Sequence, residues 1–178
     1  KRRLFHPEEG GVALSSLLDE IAQTLCRTID DQRNPLLDRG MPLALESLVE
    51  EMQRRAGPSP VISWRSGVTE RLPLSEEQVT ALYRIAQELL ANALKHAGAQ
   101  NIVVTLDVEP ADIVRLCITD DGVGMSPSLP EDGGRVGHHG LTSVGEWAAI
   151  LDASLHVGPA QGKGTRAKGT RVSVRFPM

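Results

Sequence analysis

The residues in this sequence best suited to chemistry fall in four short clusters. In Gln87-Glu88-Leu89-Leu90-Ala91-Asn92-Ala93-Leu94-Lys95-His96, spacings of four and three set Glu88, Asn92 and Lys95 along one helix face. A carboxylate, an amide oxygen and a cation in a row suit Mg²⁺ and water at one end and phosphate at the other. Magnesium takes few protein oxygens and fills its shell with water and phosphate. A solvated polar stripe has the same spacing, and this cluster alone does not choose between them. The second cluster, Thr119-Asp120-Asp121-Gly122-Val123-Gly124-Met125, follows the apolar run 113–118. Glycines there let the backbone turn sharply beside a planar ligand, and a carboxylate at a strand end can accept from an exocyclic amine such as that of adenine. A calcium loop is the weaker reading, because the later ligands and terminal glutamate of an EF-hand are absent.

The third cluster, Gly133-Gly134-Arg135-Val136-Gly137-His138-His139-Gly140-Leu141, runs into a helix expected to begin near Thr142. Glycines ahead of a helix N-terminus make a phosphate cradle, because unpaired amides and the helix dipole favour anions. His138 and His139 have no third ligand nearby to complete a metal site. The fourth is a near-tandem repeat, Gly162-Lys163-Gly164-Thr165-Arg166 and then Lys168-Gly169-Thr170-Arg171. The copy that runs into Val172-Ser173-Val174-Arg175 is the better structural candidate, and the other reads as a loop insertion.

These clusters need elements to position them. An amphipathic stripe (Leu14, Leu18, Ile21, Leu25, then Thr28 or Ile29) predicts a helix over about 13–32, narrow enough for a helix bundle, ended by Asn34-Pro35. A second helix is expected from about Pro42 to Arg55, with Leu45, Leu48, Val49 and Met52 inward. The longest runs from an N-cap at Ser75 over about 76–96, burying Val79, Leu82, Tyr83, Ala86, Leu89, Leu90, Ala93 and Leu94. Strands are expected at 61–65, 101–108, 113–119 and 171–176, and a further helix at 141–151. Alternating helices and strands imply one sheet covered by helices.

Composition narrows the field further. The chain has 178 residues, 40% hydrophobic, with a formal charge of −4, so it can bury a core but lacks the basic surface of a non-specific nucleic-acid binder. Five aromatic residues leave that core to Leu, Val, Ile and Ala. Cys26 and Cys117 stand in no ligand spacing and read as reduced thiols of a cytosolic protein. No apolar run is long enough to span a bilayer. Because the sequence starts at Lys1 rather than Met, it reads as a fragment whose parent could carry membrane spans.

In their order and spacing, the helix bearing Glu88 and Asn92, the Asp120/Gly122/Gly124 turn, the Gly137–Leu141 loop and a Gly-Thr before the last strand resemble the GHKL ATPases. These include histidine kinases, gyrase-type topoisomerases and mismatch-repair ATPases. Tyr83-Arg84-Ile85-Ala86-Gln87-Glu88, Asn92-Ala93-Leu94-Lys95-His96-Ala97 and Asn34-Pro35-Leu36-Leu37-Asp38-Arg39-Gly40-Met41 look like the nitrate-sensor and desaturase-sensor kinases. The resemblance covers about residues 13–178.

It implies a two-layer α/β sandwich of the GHKL (Bergerat) type, a mixed sheet with helices on one face, preceded by a long N-terminal helix. Residues 1–12 would be a terminal segment, 13–40 the remnant second helix of a dimerisation and phosphoacceptor hairpin with its linker, and 41–178 the ATP-binding catalytic domain. By the same resemblance Asn92 would hold Mg²⁺, Glu88 would stand near the reacting phosphate, and Lys95 and His96 would face phosphates. Asp120 would accept from adenine N6, Gly122 and Gly124 would shape that pocket, Gly137, Gly140 and Leu141 would flank a lid, and Thr170 or Thr165 would line the nucleotide. The implied activity is transfer of the ATP γ-phosphoryl group to a histidine, with relay to an aspartate of a response regulator that usually carries a helix-turn-helix output domain. The parent would be a homodimer through residues 13–33, with this domain cytoplasmic and in no direct contact with nucleic acid.

The acceptor histidine is expected outside the chain. Phe5-His6-Pro7-Glu8-Glu9 only partly resembles the acceptor motif, and Pro7 would interrupt its helix. Trp147 after Glu146, where arginine is usual, and the repeated Lys-Gly-Thr-Arg depart from the pattern. They support an alternative in which the fold is a catalytically weak or inactive scaffold or dimerisation module. An anti-sigma-factor type of serine kinase fits less well, because of the helix at 13–33.

Overall fold

A computed structural model of the chain describes residues 36–124, 139–160 and 169–178, with the side chains of 139–142 left out. The chain divides into two compact units, Lys1–Asp38 and Arg39–Met178. The expected helix at 13–33 and His6 lie outside the described residues.

Within the second unit, helix α1 spans Met41–Ala56, with a proline in its first turn and Gly40 at φ 113° as the preceding residue. Proline suits a first turn, whose amides have no intrahelical partner. Its buried stripe is Met41, Ala44, Leu45, Leu48 and Val49. Gln53 fastens the end of α1 to the next element: its amide nitrogen donates to the carbonyls of Gly57 and Pro60, and its oxygen accepts from Ile62 N at 2.6 Å. Helix α2, Glu76–His96, starts where expected. The Ser75 hydroxyl accepts from Gln78 N, and the Gln78 side chain accepts in return from Ser75 N. This reciprocal cap satisfies two otherwise orphaned donors and contributes about 1 kcal/mol. Glu76 and Glu77 in the first turn and Lys95 and His96 in the last complement the helix dipole.

Among the described residues the sheet has five strands in the order β1-β2-β3-β5-β4, which span in that order Val61–Ser66, Asn101–Glu109, Ile113–Asp120, Thr170–Pro177 and Ser154–Pro159. β1 runs parallel to β2, and the remaining pairs are antiparallel, so the sheet is mixed. One face is apolar and covered: Ile62, Ile102, Val104, Leu106, Val114, Leu116, Ile118, Val174 and Phe176 are all buried, while their neighbours along each strand are half-buried or exposed. Helices α1, α2 and α3 (His139–Ile150) pack on β1, β3 and β4. The architecture is a two-layer α/β sandwich with one solvated sheet face, the arrangement that strand alternation encodes.

Three details differ from the sequence expectation. Strand β4 was not expected, because Ser154-Leu155-His156-Val157-Gly158-Pro159 carries glycine and proline and only two apolar residues. It is an edge strand, where such residues are tolerated. Helix α3 begins at His139 rather than near Thr142. Thr142 resembles an N-cap, but Gly140 costs a helix only about 1 kcal/mol, and nothing in His139-Gly140-Leu141 stops one. Third, Val79, Ala93 and Leu94, expected in the core, are half-buried. Among the described residues, no helix is long and apolar enough to cross a membrane.

Candidate functional site

The inward face of β3 reads Val114, Leu116, Ile118, Asp120: three buried aliphatic residues and then a carboxylate, all buried. Asp120 therefore occupies the last core position of its strand, opposite Ile102 of β2, and is only 6% exposed. A carboxylate so placed needs hydrogen bonds to offset the loss of water. Asp120 Oδ1 accepts from Gly122 N at 2.9 Å and from Thr170 N at 3.2 Å. Both donors are neutral backbone amides. Among the described residues, both donors act on Oδ1 and none on Oδ2.

The backbone around Asp120 is close enough to exclude side chains. A Cβ built on Gly122 would lie 2.0 Å from the Ala97 carbonyl oxygen, and one on Gly169 would lie 2.0 Å from the Asp120 carbonyl oxygen. Gly169 and Gly124 also adopt φ of +88° and +77°, which other residues rarely do. Val123 N donates to the Ala97 carbonyl at 2.8 Å. These contacts draw three clusters together: the C-cap of α2, the turn after β3, and the second Lys-Gly-Thr-Arg copy. Thr170 of that copy opens β5, while 161–168 lie outside the described residues.

Along α2 the stripe Ala81, Ile85, Glu88, Asn92, Lys95 follows spacings of four, three, four and three. Its burial fades in that order: Ala81 and Ile85 are fully buried, Glu88 and Asn92 half-buried, and Lys95 exposed. The polar residues thus begin where the stripe emerges from the core. That places a carboxylate and an amide on a half-buried flank of α2, with the exposed Lys95 and His96 one turn further toward the Asp120 turn. Half-burial of Ala93 and Leu94 has the same origin, because the last turns of α2 reach beyond the strands to the level of Gly122. The donor set fits magnesium and phosphate: hard oxygens partly withdrawn from water, then cations.

Of the remaining expected residues, Gly137 and Thr165 lie outside the described residues, while Gly140 and Leu141 fall in the first turn of α3. Trp147 is half-buried beside the buried Val144 and Ala148. Sequence reasoning passed over Ala97, Asp121 and Gly169. Gly169 was legible as the glycine of the chosen repeat. Ala97 contributes only its carbonyl and has no side-chain signature. Asp121 turns away from Asp120, and its carboxylate accepts from Gln100 N (2.8 Å), Asn101 N (2.9 Å) and Asn101 Nδ2 (2.7 Å). These bonds, the Asn101 side chain foremost, hold its pKa below the ordinary carboxylate value.

Residues 77–178 match the family described as histidine kinase-, DNA gyrase B- and HSP90-like ATPases. Among curated proteins, the chain is 34% identical over 143 residues to the signal transduction histidine-protein kinase/phosphatase UhpB of Salmonella typhimurium. That alignment covers 79% of this chain and 25% of the relative. It is 29% identical over 173 residues to the nitrate/nitrite sensor protein NarX of Escherichia coli, covering 96% and 27% respectively. The chain thus spans about a quarter of the length of these relatives. Among solved structures, the histidine kinase domain of the Erythrobacter litoralis EL346 blue-light activated histidine kinase superposes with a TM-score of 0.60 at 21% identity, covering 78% of this chain and 61% of that one. The Acinetobacter baumannii histidine kinase AdeS gives 0.62 at 16% identity, covering 98% and 87%. At these identities the structures speak for the fold.

Proposed function

The chain belongs to the family of histidine kinase-, DNA gyrase B- and HSP90-like ATPases, and from that premise we propose that it is the catalytic domain of a sensor histidine kinase. In this reading it binds ATP at the turn after β3 and transfers the γ-phosphoryl group to a histidine outside this chain. The observation that carries the reading is the buried Asp120 carboxylate, tied on Oδ1 to two backbone amides and enclosed where Gly122 and Gly169 leave no room for a side chain.

Each residue then has a defined task. Asp120 Oδ2 accepts from the adenine exocyclic amine, a contact that guanine, with a carbonyl at that position, cannot supply. Gly122 and Gly124 keep the wall flat for the base, and Thr170 stands at its edge. Asn92 would hold Mg²⁺ through its amide oxygen, where the ion neutralises charge on the phosphates. Glu88, one turn earlier, orients the attacking group or its water. Lys95 and His96 offer positive charge or hydrogen bonds to phosphate oxygens. Phosphoryl transfer demands little covalent chemistry of a protein, so positioning and charge neutralisation are the expected work. Gly137, Gly140 and Leu141 would border the lid, Gly140 and Leu141 from the start of α3.

The sensor kinases to which the chain is similar support a response regulator as its partner. In the same reading that regulator carries a helix-turn-helix output domain, the parent is a homodimer and this domain is cytoplasmic. Calorimetric titration with a non-hydrolysable ATP analogue and Mg²⁺ tests the nucleotide reading. Binding in the parent should fall by at least about 30-fold in Asp120→Ala, since a buried hydrogen-bond partner is lost. Affinity unchanged by that substitution would sink the assignment. Phosphoryl transfer is tested separately, by incubating the chain with labelled ATP and a dimerisation domain bearing the acceptor. Acid-labile phosphohistidine is the expected product.

A further inference from the structure

Asp120 and Asp121 are adjacent yet face opposite neighbours. Asp120 is bonded to Thr170 at the start of β5, whereas Asp121 is bonded to Gln100 and Asn101 at the start of β2. The Asp121 backbone amide also donates to the Asn101 carbonyl at 3.2 Å, making four hydrogen bonds between one residue and one dipeptide, three of them to its carboxylate. Two residues on, Val123 N returns to Ala97 O, so the turn 121–123 is laced along the whole connection 97–101. Gly122 sits between these two attachments. Its amide is a donor to Asp120 Oδ1, and its α-carbon is pressed on the Ala97 carbonyl.

We propose that Asp121 is a positioning residue of the nucleotide site, whose bonds to Gln100 and Asn101 hold Gly122 where its amide can fix the rotamer of Asp120. This rests on the reading of Asp120 as the adenine acceptor. The chain of causes is short. Without the Asp121 carboxylate, the turn keeps its backbone bonds to Ala97 and Asn101 but loses the three that anchor it to Gln100 and Asn101 through a side chain, and Gly122 gains freedom. Asp120 then loses the constancy of one of its two donors, and its second oxygen no longer presents to the base in one direction. Asp121 is exposed, so its bonds compete with water and each is modest. The effect on affinity comes from orientation rather than from contact with the ligand.

The experiment measures ADP and GDP affinities by calorimetry on the 178-residue chain, in the parent and in Asp121→Ala, Asp121→Asn, Asn101→Ala and Asp120→Ala, well below each melting temperature. Asp121→Ala should weaken ADP binding about tenfold and Asn101→Ala about threefold, the scale of one or two hydrogen bonds. The preference for ADP over GDP should shrink along with them, a change that lower stability alone does not produce. Asp121→Asn should restore most of the affinity, because an amide oxygen can still accept from the Gln100 and Asn101 backbone amides. Should Asp121→Ala fail to fold, Asn101→Ala and Asp121→Asn carry the test. Lower melting temperatures with unchanged affinity and unchanged base preference overturn the proposal. If Asp120→Ala binds as the parent does, the adenine reading itself fails. If Asp120→Ala loses binding while Asp121→Ala and Asn101→Ala keep it, only the positioning role fails.

Discussion

The two ends of strand β3 treat carboxylates in opposite ways. Near its start, on the solvated face, Arg115 reaches Asp107 at 3.0 Å and Glu109 at 2.9 Å, and Arg175 of β5 closes on Glu109. The Asp107 hydrogen bond, opposed by partial burial and assisted by the Glu109 charge, raises the Arg115 pKa above its ordinary value. At the strand's other end, the donors to Asp120 and Asp121 among the described residues are uncharged amides. A carboxylate facing guanidinium is neutralised and has little left for a ligand. One held by neutral amides is oriented without being paired to a cation. Charge pairing therefore marks the structural end of β3, and backbone pairing the end where a ligand can be read.

The steepest test of this contrast is geometric. Gly169→Ala places a Cβ 2.0 Å from the Asp120 carbonyl oxygen at a φ of +88°. It should destabilise the chain by about 3 kcal/mol, read from urea denaturation, because backbone atoms cannot step aside as a flexible side chain would. Gly145→Ala in α3 is the counterpart. Nothing lies within 4 Å of its Cβ, and the helix should gain roughly 0.5–1 kcal/mol. Equal tolerance at both positions would mean that the enclosure around Asp120 opens readily.

A smaller effect concerns acid. The Asp121 pKa is lowered in the folded chain, chiefly by the Asn101 side chain. Its contribution to stability is therefore present above the unfolded-state value near about 3.9 and is lost as pH falls through the lower folded value. The stability advantage of the parent over Asp121→Asn should hold from neutral pH down to about 4 and shrink below it. The partners of this carboxylate are uncharged, so 1 M salt should leave the advantage nearly intact. A strong salt dependence would make Asp121 resemble the Arg115 cluster and weaken the contrast.

Periodicity made the layers legible in advance. Leu45, Leu48 and Val49 on α1, and the alternation of Val114, Leu116 and Ile118 on β3, are the patterns from which a covered sheet follows. Glu88, Asn92 and Asp120 stand out in the sequence because their side chains are of types that can carry chemistry. What stayed hidden lies mostly in the backbone. The Ala97 carbonyl could belong to any residue, and the edge strand β4 draws its pairing from β5 rather than from its own residues. Asp121 was visible as a residue but not as a role. Its side chain is identical to that of Asp120, and strand alternation sends the two to different partners.

The smallest predicted change lies at the ion-paired end. Glu109 joins Arg115 and Arg175, whose side chains are 40% and 51% exposed. Exposed pairs gain little from Coulomb attraction and spend side-chain entropy to form. Glu109→Gln should therefore cost less than about 1 kcal/mol at low ionic strength, and most of that loss should vanish in 1 M salt, where the Debye length falls to about 3 Å. Nucleotide affinity should not change. β3 is a continuous ladder from Ile113 to Asp120, however, and a disturbance at Arg115 could travel along it through Cys117 and Thr119, the latter accepting a hydrogen bond from Arg171. If Glu109→Gln weakened ADP binding as Asp121→Ala is expected to, the two ends would form one coupled device, and pairing by charge would no longer separate structure from function.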